Sequence, residues 1–396
     1  VREAKCNLCH VGNSKKDRNT YGMELAKLLD HERDKGNAKK IRNAMQQVAK
    51  LKADRSNANS KTFGELIAAG KLPGAAPPIS LLDTVAWASE PLRDEYSLKA
   101  AVDFLDNAAL TWQRDRKCFA CHSDHAFLET RPLVSWNTPL HSELRAKLEK
   151  LAANPRPTRF RVTEGVMAAC VLAQSDALTT GKLHPTTRQA LDYMWTLQRD
   201  DGSFDWEKSR QPPSEVDDHF GATMAILGVG IAPGEYAKTS AAQAGLAKLR
   251  TYLQEHPPVN LHQRSMLLLG SLHVDGIMTE AERQELVKDL MAVQKPNGGW
   301  GLLSLGNWKR HDGKPDDTTS SDGYGTGFAI YVLREAGVPA DDSRIQAGIS
   351  WLKANQRVSG RWFTRSQWED SRQLLSRQGT SYAIRALIAC GERISE

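Results

Sequence analysis

An all-α chain in two parts, a small helical domain followed by a ring of helical hairpins, is predicted by three observations. Apolar residues recur at three- and four-residue spacing along most of the chain. A Pro- and Gly-rich break interrupts that pattern at residues 71–78. Beyond the break, a Gln-led turn keeps returning between two alternating kinds of helix.

The front part runs from Val1 to about Ile79. It is polar, and Tyr21–Leu29 and Ile41–Leu51 carry the helical spacing of apolar residues. Lys71-Leu-Pro-Gly-Ala-Ala-Pro-Pro then ends regular structure and serves as the linker. A single core seldom organises a chain of 396 residues, so two domains are expected, 1–79 and 80–396.

In the second part the turns are Gln198-Arg-Asp-Asp-Gly-Ser-Phe-Asp-Trp206, Gln294-Lys-Pro-Asn-Gly-Gly-Trp300 and Gln356-Arg-Val-Ser-Gly-Arg-Trp362. Gln113 and Gln254 end less regular copies. Helices rich in small apolar residues are expected at 126–134, 162–172, 217–231, 261–272, 322–336 and 380–390. More polar, amphipathic ones are expected at 98–110, 142–151, 186–197, 241–253, 280–292 and 344–354. Small residues suit close packing on an inside, and amphipathic stripes suit an outside. Six such pairs close most economically as an (α/α)6 toroid.

The Gln…Gly-x-Trp turns resemble the QW repeats of squalene–hopene cyclases and related prenyltransferases, over roughly Leu98 to the C-terminus. The resemblance implies a toroid of the terpenoid cyclase/prenyltransferase type, and extends to members of that superfamily with a CxxCH run inside the ring. It also implies that the N-terminal ends of the inner helices surround one mouth of the lumen. Ser214-Glu-Val-Asp217-Asp218-His219 and Ser321-Asp322-Gly-Tyr324 would stand there. Glu215-Val-Asp217-Asp218 is similar to the DxDD acid motif of those cyclases, which would make Asp217 the proton donor. Glu215 for the first Asp, His219 after the motif and a single ring depart from that pattern. Asp217, Asp218, His219 and Tyr324 are therefore the candidate catalytic residues. Helix capping accounts for Ser214, Asp217, Ser321 and Asp322 without chemistry. The zinc site of single-ring prenyltransferases is not matched, because no Asp stands two residues before Cys170 or Cys390.

Four of the six cysteines lie in two Cys-x-x-Cys-His runs, Cys6-Asn-Leu-Cys9-His10 and Cys118-Phe-Ala-Cys121-His122. Two thiols one helical turn apart reach the two vinyl groups of one porphyrin, and the adjoining His ligates iron from the same face. Two covalently bound haem c groups are expected, with His10 and His122 as proximal ligands. A zinc site would need knuckles over a hundred residues apart in different domains, and a thioredoxin-like pair lacks its strand–helix setting. The front part resembles small cytochromes c, which implies a distal methionine. Met23 is the candidate, with His31 and Met45 as alternatives. For the second haem, His141, Met167, His184 and His219 remain open, as does a five-coordinate iron; His125, on the same helix as His122, reads as an outer-shell or surface residue. Cys170 and Cys390 read as buried small side chains, with a disulfide between them a further possibility.

Net charge is +6, and the first eighty residues carry roughly twice as many Lys and Arg as Asp and Glu, which suits an acidic redox partner. Without an aromatic-interleaved basic stripe or a reading module, nucleic acid is not an expected partner. No run of about 18 apolar residues predicts a transmembrane segment. The chain starts at Val1 with no apolar leader, so a removed targeting segment and a periplasmic or equivalent location are expected. Three functions fit. One is electron transfer coupled to a redox reaction on an apolar, isoprenoid-like molecule in the lumen at the second haem. Another is pure electron transfer with the ring as a docking or structural module, and the third is acid-catalysed terpenoid cyclisation.

Overall fold

The computed structural model describes residues 9, 18–53, 60–69, 88–116, 121–155, 157–370 and 372–394. The chain divides into two compact units, Val1–Asp83 and Thr84–Glu396. Among the described residues the secondary structure is all-helical, as the periodicity predicts, with isolated bridges at Lys52–Thr62, Leu92–Arg357 and Gln211–Glu215 in place of strands. No helix among them is long and apolar enough to cross a membrane.

The front unit holds α1 (Thr20–Leu28), α2 (His31–Asp34), α3 (Ala38–Ala49) and α4 (Phe63–Ala68). Each longer helix starts at a side chain that takes an otherwise unpaired backbone N–H: Asn19 for α1, Asn37 for α3, and a Thr62/Glu65 capping box for α4. Residues four apart on α1 (Tyr21, Leu25) and α3 (Ala44, Val48) share one face and bury it with Phe63. Tyr21 and Phe63 meet edge to face at 5.5 Å.

The second unit continues with α5 (Leu98–Arg116), a π-turn (Cys121–His125), α6 (Ala126–Val134), α7 (Pro139–Ala153), α8 (Arg161–Leu178), α9 (Pro185–Thr196) and α10 (Asp218–Ile231). Then come α11 (Ser240–Glu255), α12 (Leu261–Ser271), α13 (Glu280–Ala292), the short α14 (Leu302–Leu305), α15 (Gly323–Glu335), α16 (Ser343–Asn355) and α17 (Leu374–Ala389). The small-residue helices are buried nearly all round; in α8 every residue from Val166 to Asp176 is enclosed. They pack in succession: α6 on α8, α8 on α10, α10 on α12, α12 on α15, α15 on α17, and α17 back on α6. The amphipathic helices pair with them and bury only one stripe, as with Ile345, Gly348, Ile349 and Leu352 of α16.

The Gln-led turns repeat one hydrogen-bonding device. The Gln294 amide donates to the Gly298 and Arg344 carbonyls at 2.7 and 2.8 Å. Gln198 does the same to Gly202 and Gly245, at 3.1 and 3.0 Å. Gln356 donates to Gly360 and Ser97, at 2.8 and 2.9 Å. Each amide therefore ties its own turn to the next amphipathic helix, at its start for Gln294 and Gln356 and at its sixth residue for Gln198. The glycines sit at φ +90, +87 and +96, in the left-handed region, and a Cβ on any of them would be driven into an outer-helix carbonyl. Six residues past the Gln lies a fully buried aromatic: Phe204, Trp300 and Trp362. Phe204, not Trp206, holds this register in the first turn; Trp206 instead donates its indole N–H to the Ser214 carbonyl at 2.6 Å.

The third of these turns grips the beginning of the unit. Arg361 meets Glu90 at 2.6 Å with both side chains 4% exposed, while Ser359 N–H and the Arg357 guanidinium reach Glu90 Oε1 and its carbonyl at 2.8 and 2.7 Å. A buried pair with this many bonds fixes where residues 90–97 lie more than it adds stability.

Candidate functional site

Of the two haem-attachment runs, Cys6, His10 and Cys118 lie outside the described residues, and Cys121 and His122 are described only in their backbone. Cys9 packs against the front core, and its carbonyl accepts the Asn19 N–H at 2.9 Å. Gly22 lies so close to that carbonyl that no Cβ fits between them, which brings the first turn of α1 directly against the Cys9 backbone. Met45 packs into the core, whereas Met23, also on that first turn, is half-buried and is not one of the residues packed against it. The His31 side chain lies outside the described residues.

The second run leads into α6 through the π-turn, which packs against α5, α8 and α17. Ser123, Asp124 and His125 are buried at its end, so His125 is no surface residue, and burial pushes its pKa down to about 3. From α17 two buried cations face this region. Arg377, 4% exposed, lies with its guanidinium over the Trp112 ring of α5 at 5.6 Å; Arg385 pairs with Glu129 of α6 at 3.6 Å and lies over Tyr331 at 4.2 Å. Of the further histidines, His141 is buried against Phe127, with Nε2 unpartnered and its pKa pushed to about 4 by burial. Met167 is core, and half-buried His184 bonds Thr180 at 3.0 Å. Cys170 is fully buried, Cys390 half-buried, and both are free thiols.

The heads of α10, α12 and α15 bring together most of the residues singled out in the sequence. Asp217 caps α10, accepting the Phe220 N–H at 3.2 Å on one oxygen and the Gln263 amide of α12 at 2.8 Å on the other. Burial raises its pKa against those bonds. Asp218 is engaged elsewhere: it accepts from Trp206 N–H at 3.0 Å and pairs with Lys208 at 2.5 Å and Arg199 at 3.4 Å. Its equivalent in the next turn is Asp322, which accepts Leu302 N–H at 2.6 Å and also caps α15. His219 is buried with neither ring nitrogen hydrogen-bonded among the described residues, and burial holds it neutral with a pKa of about 4. Tyr324 is buried and shares a 2.9 Å hydrogen bond with His262 Nε2. His262 stacks on Phe328 at 4.6 Å and Phe220 at 6.2 Å, and its pKa is pushed to about 3. Tyr382 closes the cluster, edge-on to Tyr324 at 5.3 Å.

His262, Gln263 and Tyr382 are members of this cluster that the sequence reading does not reach. Asn260-Leu-His262-Gln263 repeats the pattern of a cap followed by polar side chains at the head of an inner helix, and only that register marks it. Over these heads opens a cleft of about 470 Å³ lined by Asp217, Asn260, Leu261, Ser304, Leu305 and Trp308, among others. The interior behind it is packed with Tyr324, Phe328 and His262. Among the described residues no cluster of His, Cys, Asp and Glu could hold a free metal ion. The chain matches no family model and no curated protein.

Proposed function

We propose that the protein is an exported dihaem c-type cytochrome whose first haem, at Cys6/Cys9/His10, relays electrons to or from a second at Cys118/Cys121/His122. The second unit is then an (α/α)6 toroid: the succession of inner-helix contacts returns from α17 to α6, and the Gln356 turn clamps Ser97 at the start of α5. The observation that carries the reading is the place of the second run. Its last two residues, Cys121 and His122, open a π-turn at the head of α6, with Ser123, Asp124 and His125 buried after them.

The surrounding residues fit the group. Buried Arg377 stands on a helix packed against the π-turn and offers a counter-charge for a propionate, while Phe127 and Leu128 offer apolar wall. In the front unit, Cys9 on the core and Met23 on the helix crossing over it offer attachment and a distal thioether. Haem c, when bound, supplies a one-electron couple at its iron. The chain's own residues would fix its place and keep water away; at the head of α10, His219 stays neutral and Asp217 is held by Gln263. The basic front unit suits an acidic redox partner.

Coupling to chemistry on a small molecule is favoured over pure electron transfer by the cleft above Asp217. The lumen itself is a poor container for an isoprenoid chain, since Tyr324, Phe328 and Tyr382 pack across it. Acid-catalysed cyclisation is disfavoured on the same ground, because both Asp217 oxygens accept hydrogen bonds at the cleft rim. Intact-mass measurement of the exported chain should read heavier by two haem groups, with a pyridine haemochrome spectrum to match; Cys118→Ala with Cys121→Ala should remove one. A bare polypeptide mass sinks the proposal.

A further inference from the structure

The cleft over Asp217 has a chemistry that selects among ligands. At about 470 Å³ it takes one ring-sized molecule. One wall is the half-exposed indole of Trp308, whose ring meets buried His262 at 5.7 Å; Leu261 and Leu305 supply aliphatic surface. Among the described residues no Lys, Arg or His lines it, so phosphates and carboxylates find no counter-charge there. The ionisable lining group is the Asp217 carboxylate, a hydrogen-bond acceptor, with Asn260 and Ser304 as further polar neighbours. At the rim Val259 is 83% exposed and extends an apolar surface outward, a place for an alkyl tail. Two residues past Asp217, buried His219 has two ring nitrogens without hydrogen-bond partners among the described residues, an arrangement that costs stability unless another role maintains it.

We propose that this cleft binds a hydroxylated aromatic ring with an apolar tail, of the quinol class, stacked on Trp308, and that the Asp217 carboxylate accepts a proton from one of its hydroxyls. The proposal rests on the dihaem reading for its oxidant. Oxidation breaks both O–H bonds and turns both oxygens into carbonyls. Two electrons leave singly to two equivalents of ferric haem c, one proton passes to Asp217, and the other leaves to solvent through the open cleft. Gln263, donating to Asp217 at 2.8 Å, acts as a positioning residue that orients the carboxylate.

The test is calorimetric titration of the dithionite-reduced holoprotein, which cannot turn over, with trimethylhydroquinone under argon. Saturable one-to-one binding is expected. Trp308→Ala should weaken it about tenfold, and Asp217→Asn by a similar factor, a scale set by the loss of one good contact. Asparagine also caps helices well, so Asp217→Asn removes the charge while keeping the fold, which near-ultraviolet dichroism checks. The dimethyl ether of the same ring, which has no hydroxyl proton to give, should bind about tenfold more weakly than the quinol. Equal binding of quinol and ether, no effect of either substitution, or tighter binding of methyl glucoside overturns the proposal. Haem content of the same sample separates the two failures. No binding with two haems present overturns this inference alone. A haem-free chain overturns the proposed function, and the redox part of this inference with it.

Discussion

The Tyr324–His262 pair shows how burial sets the properties of single residues here. The imidazole is enclosed by Phe220, Phe328, Trp308 and Tyr324, and its pKa falls to about 3 because a charged ring would find no solvent. This folded-state value lies below the ordinary 6.5, so the unfolded chain takes up the proton first. The stability carried by neutral His262 is complete above about pH 6.5 and is lost as pH falls from there toward about 3. Asp322, raised by burial to about 6, has the opposite sign: stability from its neutral form is complete below about pH 4 and is lost as pH rises through 6. A His262→Phe variant should therefore lose less melting temperature than the parent between pH 7 and 4.5. At pH 7 it should already be less stable by about 1–2 kcal/mol, through the missing bond to Tyr324. Parallel melting curves across that range would refute this assignment. His262 was not legible beforehand for a physical reason: a histidine in an apolar helix acquires meaning only from the tyrosine 62 residues away that it bonds. Asp217, His219 and Tyr324 were legible because their positions at helix heads repeat. The difference between Asp217 and Asp218 was not, since it depends on which oxygen meets Gln263 and which meets Lys208.

At the scale of elements, the turn glycines bear more of the architecture than the tryptophans that make the repeat visible. Gly298, at φ +87, would place a Cβ 2.7 Å from the Ala347 carbonyl; Gly313, at φ +70, has nothing within 4 Å. Both positions strain an alanine's backbone, but only the first also collides. Gly298→Ala should destabilise the protein by about 1–3 kcal/mol more than Gly313→Ala, read as the difference in urea midpoints. Equal losses would mean that the close approach of turn and helix contributes nothing. The helix positions themselves were readable from sequence, because all-round apolar runs such as Val166–Leu172 and one-sided stripes such as Ile345–Leu352 differ in composition. The register of the first turn was not: Trp206 is the more conspicuous aromatic, yet Phe204 occupies the buried slot, and only spacing from Gln198 distinguishes them. The π-turn at Cys121–His125 was equally hidden, since one widened turn leaves no periodic trace in so short a segment.

For the second unit as a whole, the decisive contact joins residues 271 apart in sequence, Glu90 and Arg361. Local propensity does not announce it: neither residue belongs to a helix, and although Arg361 lies in the third Gln-led turn, nothing in that turn points to Glu90. Consecutive hairpins would stack into an open array by the same local packing; what distinguishes a closed ring is a seam that holds the last turn to the first helix. In the proposed toroid that seam is the Glu90–Arg361 pair, the Gln373 oxygen that also accepts from Arg361, and the Gln356 amide on Ser97. Removing one partner leaves the other charge buried without compensation, which costs about 3–5 kcal/mol, whereas replacing both with apolar side chains of similar size is often neutral. Arg361→Leu alone should therefore lower stability by that amount and speed amide hydrogen exchange in α5 and α17 ahead of α8 and α10. Glu90→Leu combined with Arg361→Leu should recover most of the loss. If exchange rises evenly across α6, α8, α10, α12, α15 and α17, these contacts are no weaker than the rest of the unit and the proposed ring does not open there. If the double variant is as unstable as the single one, the charges supply specific bonding to Ser359 and Gln373 that packing cannot replace.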